Sequence, residues 1–87
     1  MSLLVTKFSA QWCHPCRMMA ITFHKVETTM PDVIFQDIDI DKDPTTAADF
    51  KIMSIPTIVF IKDGVEVDRV VGLIKEADLT AKINALK

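Results

Sequence analysis

Eighty-seven residues, 49% hydrophobic and 25% charged, have the balance of one small globular unit, with a core that is modest but workable without staples. A formal net charge of −2, with no two Lys or Arg residues adjacent, argues against nucleic acid or an anionic membrane as the main partner. No apolar stretch has transmembrane length, and the first residues lack a signal peptide's basic start and long apolar core. The expectation is a single cytosolic domain over residues 1–87.

Residues 3–8 form an apolar run interrupted only by Thr6 and Lys7, as expected for a strand covered on both faces. Ser9-Ala10-Gln11 leads into Trp12-Cys13-His14-Pro15-Cys16. A helix is predicted from Arg17 to Thr28, apolar on most sides near its start through Met18, Met19, Ile21, Phe23 and Val26. It must stop before Met30-Pro31, because proline disfavours helix at the residue before it. Residues 33–40 read as a second strand. Asp43 or Thr45 is placed to cap a short helix running to Ile52. Ser54-Ile55-Pro56 is a turn, and residues 57–61 are the most strand-like run in the chain. Lys62-Asp63-Gly64 signals a hairpin that returns through Val65 to Val71. Gly72 ends that strand. A last amphipathic helix opens at Lys75, with Leu79, Ile83 and Leu86 at helical spacing.

The order β-α-β-α-β-β-α implies a parallel crossover followed by an antiparallel hairpin. The fold class is therefore α/β: a four-stranded mixed sheet with helices on both faces.

Both cysteines of the chain lie in one Cys-x-x-Cys motif at a strand-to-helix junction. There the first sulfur meets unpaired backbone N–H groups and the positive end of a helix dipole, which favour the thiolate, the reactive form. Pro15 suits the first helical turn, where its missing N–H has no intrahelical partner to lose. Cys16 falls one turn inside the helix, close enough to close a small disulfide ring. Two cysteines this near each other cannot staple distant parts of a fold, so the motif reads as thiol–disulfide exchange. The competing reading is a metal or iron–sulfur site, which one cysteine pair leaves half built unless His14, His24 or a second copy completes it. No metal and no cofactor are expected. A cysteine–histidine hydrolase would leave the second sulfur without a task. The run Asp37-Ile38-Asp39-Ile40-Asp41 mimics the start of a calcium loop, but Lys42 and Ala48 stand where that loop needs glycine and glutamate. The methionines Met18, Met19, Met30 and Met53 read as core and rim packing. His14 is either an exposed spacer or an imidazole whose charge stabilises the Cys13 thiolate. His24, with no motif around it, reads as a surface residue or a satisfied, partly buried one.

Phe8, Ala10, Trp12-Cys13, Pro15-Cys16 and Met18, then Asp41, Pro44, Ile55-Pro56-Thr57, Lys62, Gly64 and Val71-Gly72, together resemble the thioredoxin family over nearly the whole chain. The resemblance implies a thioredoxin-like fold and reduction of protein disulfides. It implies Cys13 as exposed nucleophile and Cys16 as buried resolving thiol. It further implies a cis Ile55–Pro56 bond opposite the sulfurs, and an apolar docking groove framed by Trp12, Ile55, Pro56, Gly72 and Leu73. Electrons would come from a thioredoxin-reductase-like flavoenzyme, and the protein would act as a monomer.

The chain departs from the family pattern in several places. It begins where a full-length thioredoxin's second strand begins. His14 replaces a glycine, and Ile21 replaces a helix-kinking proline. Lys7 and Asp37 stand where the family commonly has a buried acid and a facing lysine, in that order. Lys7 on a strand covered on both faces needs either a partner or a depressed pKa, and the ungapped match places Asp37 facing it beneath Cys16. The pair is expected either to handle the proton that Cys16 loses, or to be a snorkelling lysine and a strand-edge acid. Two other functions fit the same layout: a glutathione-fed glutaredoxin-like enzyme, and a non-catalytic subunit that uses the fold only to bind a partner. Against the first, the chain has no tyrosine.

Overall fold

Strand β1 (Leu3–Ser9) runs inside the sheet. On one side β2 (Ile34–Asp39) pairs with it in parallel, and on the other β3 (Thr57–Lys62) pairs antiparallel. Strand β4 (Val65–Val71) adds antiparallel to β3, giving a four-stranded sheet of order β2-β1-β3-β4. The computed structural model describes residues 2–87. Helix α1 (His14–Thr29) follows β1, α2 (Pro44–Asp49) follows β2, and α3 (Glu76–Leu86) follows β4, which is the element order the sequence predicts.

Two apolar cores lie on opposite faces of the sheet. Leu3 and Val5 of β1 and Ile58 and Phe60 of β3 pack against Met19, Phe23 and Val26 of α1 and Leu79 and Ile83 of α3. The alternate residues Phe8, Val59 and Ile38 pack against Ala47 of α2. The period-two alternation of a strand therefore divides β1 between the two cores. It also assigns Lys7 to the α1 side, and its Nζ stands 5.5 Å from the centre of the Phe23 ring. Removing a buried side chain such as Phe8 is expected to cost about 3–5 kcal/mol, because a sheet filled from both faces cannot collapse around the gap.

Local chemistry accounts for the element ends. Helix α1 starts three residues earlier than the sequence suggests, because Cys13 itself caps it and Pro15 fits the first turn. Asp43 caps α2, accepting from the Thr46 backbone N–H at 3.2 Å and from the Thr46 hydroxyl at 2.8 Å. That helix ends at Asp49 rather than Ile52, where Lys51 turns to a φ of 55°. The hairpin after β3 turns through Asp63 and Gly64, both at positive φ (55° and 79°), as a two-residue turn matched to strand twist requires.

Two expectations about packing need correction. The apolar residues of helix α1 are not all covered, because one side only faces the sheet. Its buried stripe is Cys16, Met19, Phe23 and Val26, while Met18 and Ile21 are exposed. Met19 and Met30 are core residues, but Met53 is 95% exposed and so is neither core nor rim packing.

Candidate active site

The site sits where β1 hands over to α1. After β1, the Cys13 N–H donates to the Ala10 carbonyl at 3.2 Å, which folds the chain back on itself just before the helix begins. Cys13 is thereby fixed as the N-cap. Its Sγ accepts from the backbone N–H of Cys16 at 3.3 Å, a charge-stabilising contact for a thiolate. Cys16 stands one turn in, and the two sulfurs are joined as a disulfide. Both cysteines pack with Ala10, and Ile40 and Ile55 lie against them.

The expected contrast between an exposed Cys13 and a buried Cys16 is slight in this oxidised form, at 6% and 3% residue exposure. What distinguishes the sulfurs is position: Cys13 caps the helix and accepts the Cys16 N–H of its first turn, and Cys16 lies on the buried stripe. His14 and Pro15 are both exposed on the opening turn.

The Ile55–Pro56 bond is cis, as the resemblance implies. The Ile55 carbonyl oxygen lies 3.9 Å from Cys13 Sγ. The Gly72 N–H donates to the Pro56 carbonyl at 2.8 Å, which holds the loop after β4 against this segment. Gly72 adopts φ 90°, a conformation that a side chain would strain. The residues expected to frame a groove divide by exposure. Pro56 is buried and Ile55 partly so, whereas Trp12 and Leu73 stand out at 68% and 55% exposure. Leu73 also lines an apolar cleft of about 410 Å³ with Met18, Met19, Thr22, Ile74 and Lys75.

Lys7 and Asp37 are in register on neighbouring parallel strands, with Nζ 3.3 Å from Oδ2. They differ in setting from the expected shared buried region. Lys7 is 2% exposed, while the Asp37 side chain is 57% exposed and also accepts from the Ser9 hydroxyl at 3.1 Å. Both line a cleft of about 620 Å³ whose walls include Cys16, Arg17, Asp39 and Lys42.

One site contact is not signalled in the sequence. The Trp12 indole N–H donates to Asp41 at 2.8 Å, so the residue that resembled part of a calcium loop orients the exposed ring. Nothing local links residues this far apart in the chain. Only the sheet, which brings the ends of β1 and β2 together, does so.

With the geometry in hand, comparison with known proteins is direct. The family model for Thioredoxin matches residues 1–85. Thioredoxin H-type 1 of Nicotiana tabacum is 49% identical over 74 residues, covering 85% of this chain and 59% of that protein. Thioredoxin of Chlamydia caviae is 39% identical over 82 residues, covering 94% of this chain and 80% of that protein. The X-ray structure of Fasciola hepatica thioredoxin matches with a TM-score of 0.93 at 41% identity, over 99% of this chain and 82% of that one. The chain spans 59% and 63% of the length of two plant relatives, the second being Thioredoxin H2 of Arabidopsis thaliana. A family match over residues 1–85, the same fold in a solved thioredoxin, and a bonded Cys13–Cys16 pair at a helix start agree: the chain belongs to the thioredoxin family.

Proposed function

We propose that this protein is a dithiol oxidoreductase that reduces protein disulfides. The observation that carries the reading is the Cys13 sulfur as N-cap of α1, accepting the Cys16 N–H and bonded to the sulfur one turn further on. In the reduced form the Cys13 thiolate attacks one sulfur of a substrate disulfide. A Cys13–substrate bond forms, the substrate S–S bond breaks, and the departing substrate thiolate takes up a proton. Cys16 then loses its proton and attacks Cys13 Sγ. The Cys13–Cys16 bond forms and the second substrate thiolate leaves, so two electrons have passed from the dithiol to the substrate.

Trp12, Ile55, Pro56, Gly72 and Leu73 serve as the docking surface. The Ile55 carbonyl beside Cys13 Sγ and the exposed Trp12 and Leu73 support that assignment. His14 and Pro15 tune the pair from the opening turn of α1. A flavoenzyme of the thioredoxin-reductase class returns the electrons, and the protein works as a monomer in a reducing compartment such as the cytoplasm. Among the described residues no helix is long and apolar enough to cross a membrane.

Brief iodoacetamide treatment of the reduced protein, followed by mass mapping, tests the roles. Cys13 is expected to take the label and Cys16 to stay nearly unmodified, and predominant labelling of Cys16 would reverse the assignment. In an insulin-reduction assay Cys13→Ser should lose turnover. Full retention of biological function by Cys13→Ser would instead favour the non-catalytic, partner-binding reading.

A further inference from the structure

The docking surface proposed above runs from Trp12, tied to Asp41 beyond β2, across Cys13 to Leu73. Leu73 follows directly on Gly72, whose N–H is bonded to the Pro56 carbonyl. Past Leu73 lies the apolar cleft of about 410 Å³, lined by Met18, Met19 and Thr22 of α1 and by Leu73, Ile74 and Lys75 ahead of α3. Met19 is a core residue, whereas Met18 and Leu73 remain 52% and 55% exposed. A flexible thioether and a leucine left in water around a cleft are a surface that a partner's apolar side chain gains by covering.

Lys75 is the one charged residue in that lining, and its placement does not serve the fold. It occupies the N-cap of α3, where Ser, Thr, Asp or Asn would accept a backbone N–H, and its side chain caps nothing. A cation at this end also opposes the helix dipole, which favours acidic groups such as Glu76 and Asp78 of the first turn. Among the described residues the Lys75 ammonium enters no ion pair. Glu76 and Asp78 do not line the cleft, so a group seated there meets Lys75 rather than them.

We propose that this cleft is a specificity subsite, which takes an apolar side chain of the substrate while Lys75 pairs with an acidic residue beside it. The occupant is an extended segment flanking the substrate's disulfide, with an apolar and an acidic residue in adjacent positions. This inference rests on the dithiol reading above and adds to it a class of preferred substrate. The exchange itself is unchanged: the substrate S–S bond breaks, Cys13 and Cys16 supply two electrons, and the bond between them forms. Two observations carry the choice of occupant. Through Leu73 the cleft is continuous with the surface beside Cys13, so a segment held there reaches it without leaving the protein. The lone charge of the cleft is positive, so the complementary neighbour of the apolar residue is a carboxylate. The far end of the docking surface carries Asp41 on Trp12, so an acidic residue also gives the segment one direction across Cys13.

Single-turnover reduction of short peptides joined in pairs by one disulfide tests this. The peptides carry Leu-Asp, Leu-Lys or Gly-Asp at increasing distances from the cysteine, on either side of it. Each rate is taken relative to the same variant's rate with the aromatic disulfide dithio-bis-nitrobenzoate, which is too small to span Cys13 and the cleft. The parent should reduce the Leu-Asp peptide about threefold faster than Leu-Lys, as for one exposed charge pair, and the margin should shrink in high salt. It should reduce Gly-Asp about tenfold more slowly than Leu-Asp, the effect of leaving the cleft empty. Lys75→Gln should level Leu-Asp and Leu-Lys, and Lys75→Glu should reverse their order. Thr22→Phe, which fills the cleft from α1, should bring Leu-Asp down to the rate of Gly-Asp, with circular dichroism confirming the fold of each variant. Equal parent rates for Leu-Asp and Leu-Lys at every spacing would overturn the proposal. So would an acidic preference that survives Lys75→Glu, or a leucine advantage that survives in folded Thr22→Phe. A parent protein that reduced neither the peptides nor dithio-bis-nitrobenzoate would instead overturn the dithiol reading itself.

Discussion

The Trp12 indole N–H donates to Asp41 Oδ2 at 2.8 Å, joining the residue before Cys13 to the loop after β2. The ring is thereby held in one orientation although most of its surface faces solvent. An aromatic plate fixed in advance loses little freedom when a partner covers it. Asp41→Ala is therefore expected to raise KM for a protein disulfide several-fold while the reaction of Cys13 with a small aromatic disulfide stays unchanged. The bond is exposed, so unfolding should become easier by no more than about 1 kcal/mol. Steady-state insulin reduction and tryptophan fluorescence anisotropy check this. An unchanged KM with a freed indole would remove Trp12 from the docking surface.

His14 stands exposed on the first turn of α1, next in the chain to the capping Cys13. A cationic imidazole there favours the thiolate, and hence the reduced state of the pair. His14→Gly should then make the dithiol more reducing. A change of about 30 mV corresponds to about 1.4 kcal/mol for a two-electron couple, a reasonable size for one exposed charge close by. Equilibration against glutathione at several pH values measures it. No change, or a move toward a more oxidising pair, would make His14 a spacer.

Ion pairs tie the last helix and the edge strand into the fold, and each gives a pH signature. Lys82 of α3 donates to Asp68 of β4 at 2.6 Å, and this bond holds the Asp68 carboxyl below its ordinary value of 3.8. A carboxylate depressed in the folded state stabilises the fold above its unfolded value and loses that contribution as pH falls through the folded one. Both side chains are about one-third exposed (34% and 36%), so screening limits the pair to the surface range of about 0.2–1 kcal/mol. Asp68→Asn should therefore lower stability to urea by that amount at neutral pH. The gap to the parent protein should close in acid below the ordinary aspartate range. A gap of the same size at both pH values would mean that packing, not charge, is what the substitution removes.

Arg69 makes a second such link. Its guanidinium grips Glu66 through two bonds, at 2.6 and 2.7 Å, and also donates to the Phe50 carbonyl at 2.9 Å at the end of α2. The Glu66 contact raises the Arg69 pKa further, so it remains cationic at every working pH. Arg69→Lys keeps the charge but loses the planar two-bond geometry. It should destabilise the protein by up to about 1 kcal/mol and speed amide exchange in α2, read by hydrogen–deuterium exchange. Unaltered exchange at residues 44–50 would show that the Phe50 contact does not anchor the helix.

The sequence by itself determined what depends on neighbours in the chain. The alternation of residues 3–8 and 57–61, the Asp63–Gly64 turn, the Asp43 cap and the sulfur at a helix start all act within a few residues. They specify elements, their order and the chemistry of the Cys13–Cys16 pair. The stripe of α1 was less legible, because apolar residues on several sides of a helix do not say which side the sheet will cover. Packing settled it, burying Met19, Phe23 and Val26 and leaving Met18 and Ile21 outside. The Trp12–Asp41 bond and the depth of Lys7 beside a largely exposed Asp37 depended wholly on tertiary structure. Those relations are set by strand register and by which face of β1 meets α1, and both are fixed only when distant segments pack together.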